Sequence, residues 1–311
     1  MTVRQFLSVV ELRTKVISVS TYTLATIYTA SAGFRVSWLE AVLLAVAVLC
    51  VDMGTTAFNS FYDYARRVDT RRSTEERDKV LVHEGVAPGH ALVVSLVLYL
   101  VAAATGIAVA LLSSGWIIVA GVAGMLVGFL YNGGPVPISR TPAGEIFAGG
   151  FLGTVLFLVV YGVHAGRLDA AALVASLPST LLIAAVLTVN NTCDLEGDRS
   201  AGRRTLSIVL GRTAATILVD ALAAAAYALL LVMSVPAVRE ATLGASGLPV
   251  FPPAAPVVIA AAAGASAAVL AGMHVRGYGR ATKSANMTSI IGIVAIYTLA
   301  YAAALVLARP A

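Results

Sequence analysis

Two stretches of this sequence carry carboxylates and amides at helical spacing. Asn59, Asp63 and Asp69 read NxxxDxxxxxD, and the segment from Asn190 and Asn191 through Asp194 to Asp198 contains NxxxDxxxD. Residues four apart share a helix face, so Asn59 projects with Asp63, and Asn190 projects with Asp194 and Asp198. Each cluster is followed by a basic stretch: Arg66, Arg67, Arg71, Arg72, Arg77 and Lys79 after the first, and Arg199, Arg203, Arg204 and Arg212 after the second. Carboxylates and guanidinium groups crowded at one place are costly alone. The combination is accounted for if hard oxygen ligands hold Mg2+ while Arg and Lys take the phosphate oxygens that the metal bridges. The expected cofactor is Mg2+ and the expected ligand a diphosphate. A lone NxxxD means little, and Arg71 to Lys79, with Glu75, Glu76 and Asp78 interleaved, also suits a solvated loop helix. Two such helix ends on one membrane face, each with its basic loop, are the informative feature.

The elements that must position these groups follow from composition. Of 311 residues 59% are hydrophobic and 12% charged, about half the charged share of a typical soluble domain. The apolar residues form runs close to the about 20 residues that cross a bilayer, and backbone groups in lipid have no partners except within a helix. The runs fall at 16–33, 39–61, 91–113, 116–131, 145–163, 171–192, 213–235, 254–274 and 287–308. The fold expected is all-α: a polytopic membrane protein of nine transmembrane helices around a central cavity, a single domain over 1–311. Gly244 to Pro256, with four prolines, reads as an extramembrane connection.

Nine spans place the termini on opposite sides, and the basic residues choose the orientation. Only Arg35, Arg167, Arg239 and Arg309 fall on the side opposite the N-terminus; every other Lys and Arg lies on the N-terminal side. The N-terminus and the mouth of the site are therefore expected to be cytoplasmic, in a multi-pass protein of the cell (inner or plasma) membrane. This topology and an anion site account for the net charge of +5 without nucleic-acid binding. Membrane lipid is the surrounding partner, and no obligatory protein partner is indicated.

Other polar residues read mainly as structural. Asp52 lies on the Asn59 face two turns deeper, either lining the cavity or, as the favoured reading, neutral and hydrogen-bonded. Asp220 has no evident partner, and His83, His90, His164 and His274 lack metal-ligand spacing. Cys50 and Cys193 are too few and too deep for a disulfide framework. Trp38 and Trp116 start spans as interfacial anchors, and Gly121, Gly124, Gly128, Gly149, Gly150 and Gly153 permit close helix packing.

The two Asp-rich helix ends resemble those of the UbiA superfamily of intramembrane prenyltransferases, which close the second and sixth of nine helices. Within it, Asn191 to Leu206, the six-residue step from Asp63 to Asp69, and Tyr131-Asn132-Gly133-Gly134-Pro135 ahead of Gly144-Glu145 are most similar to the 1,4-dihydroxy-2-naphthoate polyprenyltransferase (MenA) branch. The ubiquinone-type branch carries Asp where this chain has Arg67. MenA-like chains commonly carry Asp where this one has Ser60.

The resemblance implies an enzyme that transfers a prenyl group from a prenyl diphosphate to an aromatic acceptor, 1,4-dihydroxy-2-naphthoate or a related ring, in menaquinone-type biosynthesis. Asp63, Asp194 and Asp198, assisted by Asn59 and Asp69, would hold Mg2+; Arg66, Lys79, Arg199, Arg203 and Arg204 would hold the diphosphate. Loss of diphosphate leaves an allylic cation, which Tyr62, Tyr64 and Tyr131 can face if they are not simply interfacial. Arg140 and Glu145 would position or deprotonate the acceptor, and Asn190 and Asn191 either bind ligand or brace their helix. Two other readings stay open: a terpene cyclase or synthase on the same scaffold, which forms products without an acceptor, and a cation-coupled transporter, which releases no diphosphate and expects charges near the midplane.

Overall fold

A computed structural model of the chain describes residues 1–70, 79–243 and 247–308. Arg71, Arg72, Glu75, Glu76, Arg77, Asp78 and Arg309, which entered the charge pattern, lie outside the described residues. Long apolar runs have only their own backbone to satisfy N–H and C=O groups in lipid, and the described secondary structure is accordingly helical. The long helices are α1 (Val16–Ser31), α2 (Trp38–Ala65), α3 (Pro88–Leu112), α4 (Trp116–Asn132), α5 (Gly144–Ala165), α6 (Ala170–Cys193), α7 (Arg212–Ser234), α8 (Ala255–Arg276) and α9 (Lys283–Val306).

Among the described residues seven of these, α2, α3 and α5 to α9, are long and apolar enough to cross a membrane. The other two fall short by length: α4 has 17 residues and α1 has 16, with Ser, Thr and Tyr along it. Large apolar side chains such as Leu100, Leu111, Val119, Val257, Val275 and Leu299 point outward, the pattern of a bundle whose solvent is hydrocarbon. Trp38, at the start of α2, is 75% exposed, as an interfacial anchor should be.

The main core gathers α1 and α5 to α9. Two of its buried tyrosines pair their hydroxyls across helices, Tyr297 with Ser179 at 2.9 Å and Tyr227 with Ser266 at 2.7 Å. A π-helical turn, Gly150–Val155, interrupts α5 where it crosses α6. There a Cβ on Gly149 or Gly153 would stand 2.6 or 2.5 Å from Thr180, and one on Gly128 2.4 Å from Thr55. Those three glycines permit close packing as expected. Gly121, Gly124 and Gly150 do not, having open space where a Cβ would be; Gly121 and Gly124 face the central cavity instead.

A second, smaller core closes one end. Val9 and Val10, at the end of a short helix Val3–Val9, pack with Val80, Leu81 and Val86 against Ala57 of α2 and Ala91 and Val94 of α3. Ion pairs and hydrogen bonds staple this cap: Arg4 and Gln5 reach Glu84, and Lys79 Nζ lies 2.8 Å from Glu11. Ser60 is buried and donates to the Val9 carbonyl, so this position points into the cap rather than into the site.

Candidate active site

Helix termini carry the site. α2 ends in a turn in which Val68 N–H bonds to the Asp63 carbonyl and Arg67 N–H to that of Tyr64, the Schellman pattern, with Arg67 in the left-handed region at φ 58°. The turn folds the chain back, and Asp69 N–H also reaches the Asp63 carbonyl, at 3.2 Å. That explains the six-residue step: Asp69 returns over Asp63 while Arg67 is exposed on the outside of the turn. At the end of α6 a short helix, Leu195–Ser200, continues to Gly202, whose φ of +69° reverses the chain. The reversal returns Arg203 to Asp198, Nη1 to Oδ1 3.0 Å.

Both helix ends open into one cavity of about 1220 Å³. Asn59, Asp63, Asp69, Lys79, Tyr131, Asn190, Asn191, Asp194, Asp198 and Arg203 all line it. Beyond them the wall is apolar, with Phe147, Phe151, Leu156, Val159, Ile183 and Leu187.

The remaining sequence-derived residues lie beside the cavity without lining it. Arg66 donates to the carbonyls of Asn132 at 2.7 Å and Gly134 at 2.8 Å and stacks 4.8 Å from the Tyr62 ring centroid. It clamps the end of α4 to α2. Tyr62 packs among Phe58, Phe61 and Phe129, and Tyr64 is exposed. Arg140 donates to Ala201 O, and its carbonyl accepts from Arg204 N–H, tying two loops; the side chains of Arg199 and Arg204 are exposed. Glu145 is buried, its Oε1 receiving Asn191 Nδ2 at 2.9 Å while Oε2 has no hydrogen-bond partner.

Charge balance in the site differs from the sequence expectation. Lys283 Nζ sits 2.6 Å from Asp194 Oδ2, and Lys79 Nζ 3.5 Å from Asp69 Oδ2. Lys283, Glu11, Lys15, Thr56 and Arg280 line the cavity too, and sequence reading had given none of them a role in the site. Burial pushes the Asp198 carboxyl up to about 6; Arg203 opposes the rise and the neighbouring Asp194 and Asp63 add to it. Burial works against the Arg203 charge, yet Asp198 and Asp63 hold its pKa above the ordinary value. For Glu11 burial also raises the carboxyl, but Lys79 beside it, helped by Lys15 and Lys283, brings it below 4.5.

Two residues expected to be unpartnered or neutral are paired. Asp220 Oδ2 pairs with His274 Nε2 at 2.8 Å, on the facing surfaces of α7 and α8. Asp52 forms an ion pair with Lys15 and lines the cavity.

The donor set suits Mg2+. Asp198 Oδ2 is buried and has no hydrogen-bond partner, and Asp63, Asp69 and Asp194 open onto the same space. Among the described residues no three His, Cys, Asp or Glu side chains are close enough to cage an ion by themselves. Mg2+ ordinarily takes one or two carboxylates and completes its shell with water and substrate phosphates, so the incomplete cage is in keeping with an ion that arrives with a phosphate ligand.

The sequence profile of the UbiA prenyltransferase family matches residues 18–290. Over 179 residues the chain is 35% identical to a 1,4-dihydroxy-2-naphthoate octaprenyltransferase of Bacillus subtilis (strain 168), covering 58% of this chain and 57% of that one. An enzyme of the same name from Mycobacterium leprae (strain TN) is 30% identical over 199 residues, covering 64% and 67%. The match thus spans little more than half the length of the Bacillus relative. A solved UbiA homolog from Archaeoglobus fulgidus bound to DMAPP and Mg2+ superposes with a TM-score of 0.63 over 97% of this chain and 99% of that one, at 15% identity, a likeness of fold.

Proposed function

This chain belongs to the UbiA prenyltransferase family, and from that premise we propose that it transfers a prenyl group from a prenyl diphosphate to an aromatic acceptor, with Mg2+. The observation that carries the reading is the division of one cavity: four aspartates with Lys79, Lys283 and Arg203 at one end, and an apolar chamber behind. Such a space takes a long hydrocarbon whose head is a multiply charged anion. The acceptor is proposed to be 1,4-dihydroxy-2-naphthoate or a close relative, as the names of the Bacillus and Mycobacterium relatives suggest. We place the whole chain in one domain with nine spans, counting α1 and α4, and with the N-terminus and the mouth on the cytoplasmic side. Cysteine labelling of Arg35 and Arg280 positions from either side of intact membranes tests that orientation.

Asp63, Asp194 and Asp198, with Asn59 and Asp69, would hold the metal, which when bound neutralises charge on the departing diphosphate. Arg203, braced by Asp198 and by the Ser139 carbonyl at 2.9 Å, presents its guanidinium to the diphosphate without reorganisation. Lys79, beside Glu11 and Asp69, and Lys283, beside Asp194, would turn to phosphate oxygens with those aspartates left to hold the metal. Tyr131, at the junction of charged mouth and apolar chamber, offers its ring to the allylic cation. The apolar wall excludes the water that would quench that cation. Glu145 and Asn191, paired behind the mouth, hold the end of α6 in register for Asp194.

Product analysis by mass spectrometry tests the reading. The purified protein is given prenyl diphosphates of several lengths and Mg2+, with and without 1,4-dihydroxy-2-naphthoate. A prenylated naphthol is expected only with the acceptor. Equal consumption of prenyl diphosphate to a hydrocarbon or alcohol without it would refute aromatic transfer in favour of cyclisation.

A further inference from the structure

Below the charged mouth, the cavity wall carries a pair of ionisable residues. Lys15 at the start of α1 and Asp52 of α2 form an ion pair, Nζ to Oδ1 2.6 Å. Ser18 Oγ donates to the second carboxylate oxygen at 2.6 Å, and Thr56 Oγ1 accepts from Lys15 at 2.7 Å. Lys15 and Asp52 both line the main cavity, with side chains 5% and 13% exposed. Asp52 is seven positions before Asn59 and eleven before Asp63, about 10 and about 16 Å along the helix. The pair thus lies beyond the reach of a diphosphate held at Asp63.

A purely structural brace has no need of charge here. Replacing a buried ion pair by apolar side chains of similar volume is often neutral or stabilising, and ionisable groups at membrane depth mark function. The hydrogen-bond inventory says what the cluster can receive. The Lys15 protons go to Asp52 Oδ1, Thr56 Oγ1 and, at 3.4 Å, the Asp52 carbonyl. The Thr56 proton goes to that same carbonyl at 2.9 Å. Each Asp52 carboxylate oxygen accepts one bond and has a second lone pair. With its donors committed and its net charge zero, the cluster takes an uncharged donor from the cavity.

We propose that the Lys15–Asp52 pair is a subsite for a phenolic hydroxyl of the aromatic acceptor, Asp52 accepting the O–H and Lys15 holding the Asp52 carboxyl group aimed at the cavity. The proposal rests on the aromatic-transfer reading above. The hydroxyl bound is the one next to the reacting ring carbon, and that ortho carbon faces the prenyl carbon at the mouth. The hydrogen bond to a carboxylate also feeds electron density into the ring that attacks.

The test uses the full chain in nanodiscs with Mg2+ and a non-ionising prenyl thiolodiphosphate. Binding of 1,4-dihydroxy-2-naphthoate is compared with that of its two monomethyl ethers. One ether should bind the wild-type protein about tenfold or more weakly, the loss of one hydrogen bond to a charged group. The Lys15→Met/Asp52→Leu double variant should weaken the parent compound to the level of that ether and no longer distinguish the two, with thiolodiphosphate affinity within about twofold of wild type. Equal binding of the parent and both ethers by the wild-type protein overturns the proposal with no variant needed, as does full discrimination by the double variant. Absence of Mg2+-dependent thiolodiphosphate binding by the wild-type protein overturns the transfer reading and this subsite together, whereas its presence with no hydroxyl discrimination overturns the subsite alone.

Discussion

Replacing Lys283 by Met separates two affinities that most site variants move together. Lys283 lies 2.6 Å from Asp194, with side chains only 11% and 26% exposed, so solvent screens the pair weakly. Unit charges 4 Å apart attract by about 4 kcal/mol at the effective dielectric of a protein surface, and a hydrogen bond involving a charged group nets about 1.5–3 kcal/mol after desolvation. In the proposed cycle that attraction serves Asp194 before ligand binds and the diphosphate afterwards. Lys283→Met therefore frees Asp194, which binds Mg2+ more tightly in the absence of diphosphate. The same variant lacks a phosphate contact, weakening Mg2+-dependent binding of a prenyl thiolodiphosphate by about 10- to 150-fold. Titration calorimetry in nanodiscs reads both constants. Opposite signs are expected; unchanged thiolodiphosphate affinity, or Mg2+ and thiolodiphosphate weakening in parallel, refutes the exchange of partners.

Asp63→Ala and Asp194→Ala should each lower turnover by at least about 10³-fold, the several kcal/mol that metal stabilisation of a leaving diphosphate provides, with unchanged membrane insertion; near-normal product formation in either would defeat the metal assignment. Arg66→Met should lower thermal stability by about 1.5–3 kcal/mol with the KM for prenyl diphosphate unaltered, since its guanidinium serves the Asn132 and Gly134 carbonyls; a KM defect at normal stability would contradict this. Glu11 has a carboxyl pKa below 4.5 in the folded chain, so its stabilisation is complete above that ordinary value and is lost as pH falls through the lowered one. Glu11→Gln should therefore cost about 1 kcal/mol at pH 7 and flatten the acid limb of a thermal-unfolding series, and an acid limb identical to wild type would exclude the pair as its cause.

The legibility of the site in the sequence follows the range of the physics involved. Asn59 with Asp63 and Asn190 with Asp194 obey helical period, a property of a few adjacent residues, and the structure brings both sets to one cavity. The apolar runs were legible for the same reason, and each corresponds to a helix. Length decided less well: α1 and α4, at 16 and 17 residues, are short against a bilayer. Whether a basic residue after a helix points into the site is set by turn geometry instead. Arg203 enters because Gly202 reverses the chain, while Arg66 turns sideways to α4. Lys15 and Lys283 were visible only as topology charges at span ends, because their partners Asp52 and Asp194 are 37 and 89 residues away and spacing carries no information about such pairs.

The arrangement of the charges also bears on how a membrane-embedded chamber can tolerate them. A cluster of four carboxylates at the edge of hydrocarbon would be self-repelling if left bare, and Asp198, pushed up to about 6 by burial, shows the strain of that position. Lys79, between Glu11 and Asp69, Lys283 against Asp194 and Arg203 against Asp198 offset most of that charge. In the proposed cycle Mg2+ and a diphosphate would together replace one set of opposite charges by another. On this account the lysines have two partners by design of the fold, and the incomplete metal cage is the same fact seen from the carboxylate side: a complete one would hold its ion too firmly to exchange with ammonium groups. Filling the cage, by adding a carboxylate at Asn59 through Asn59→Asp, should then raise affinity for Mg2+ alone and slow turnover, and faster turnover with tighter Mg2+ binding would show that the balance of charges is not what sets the cycle.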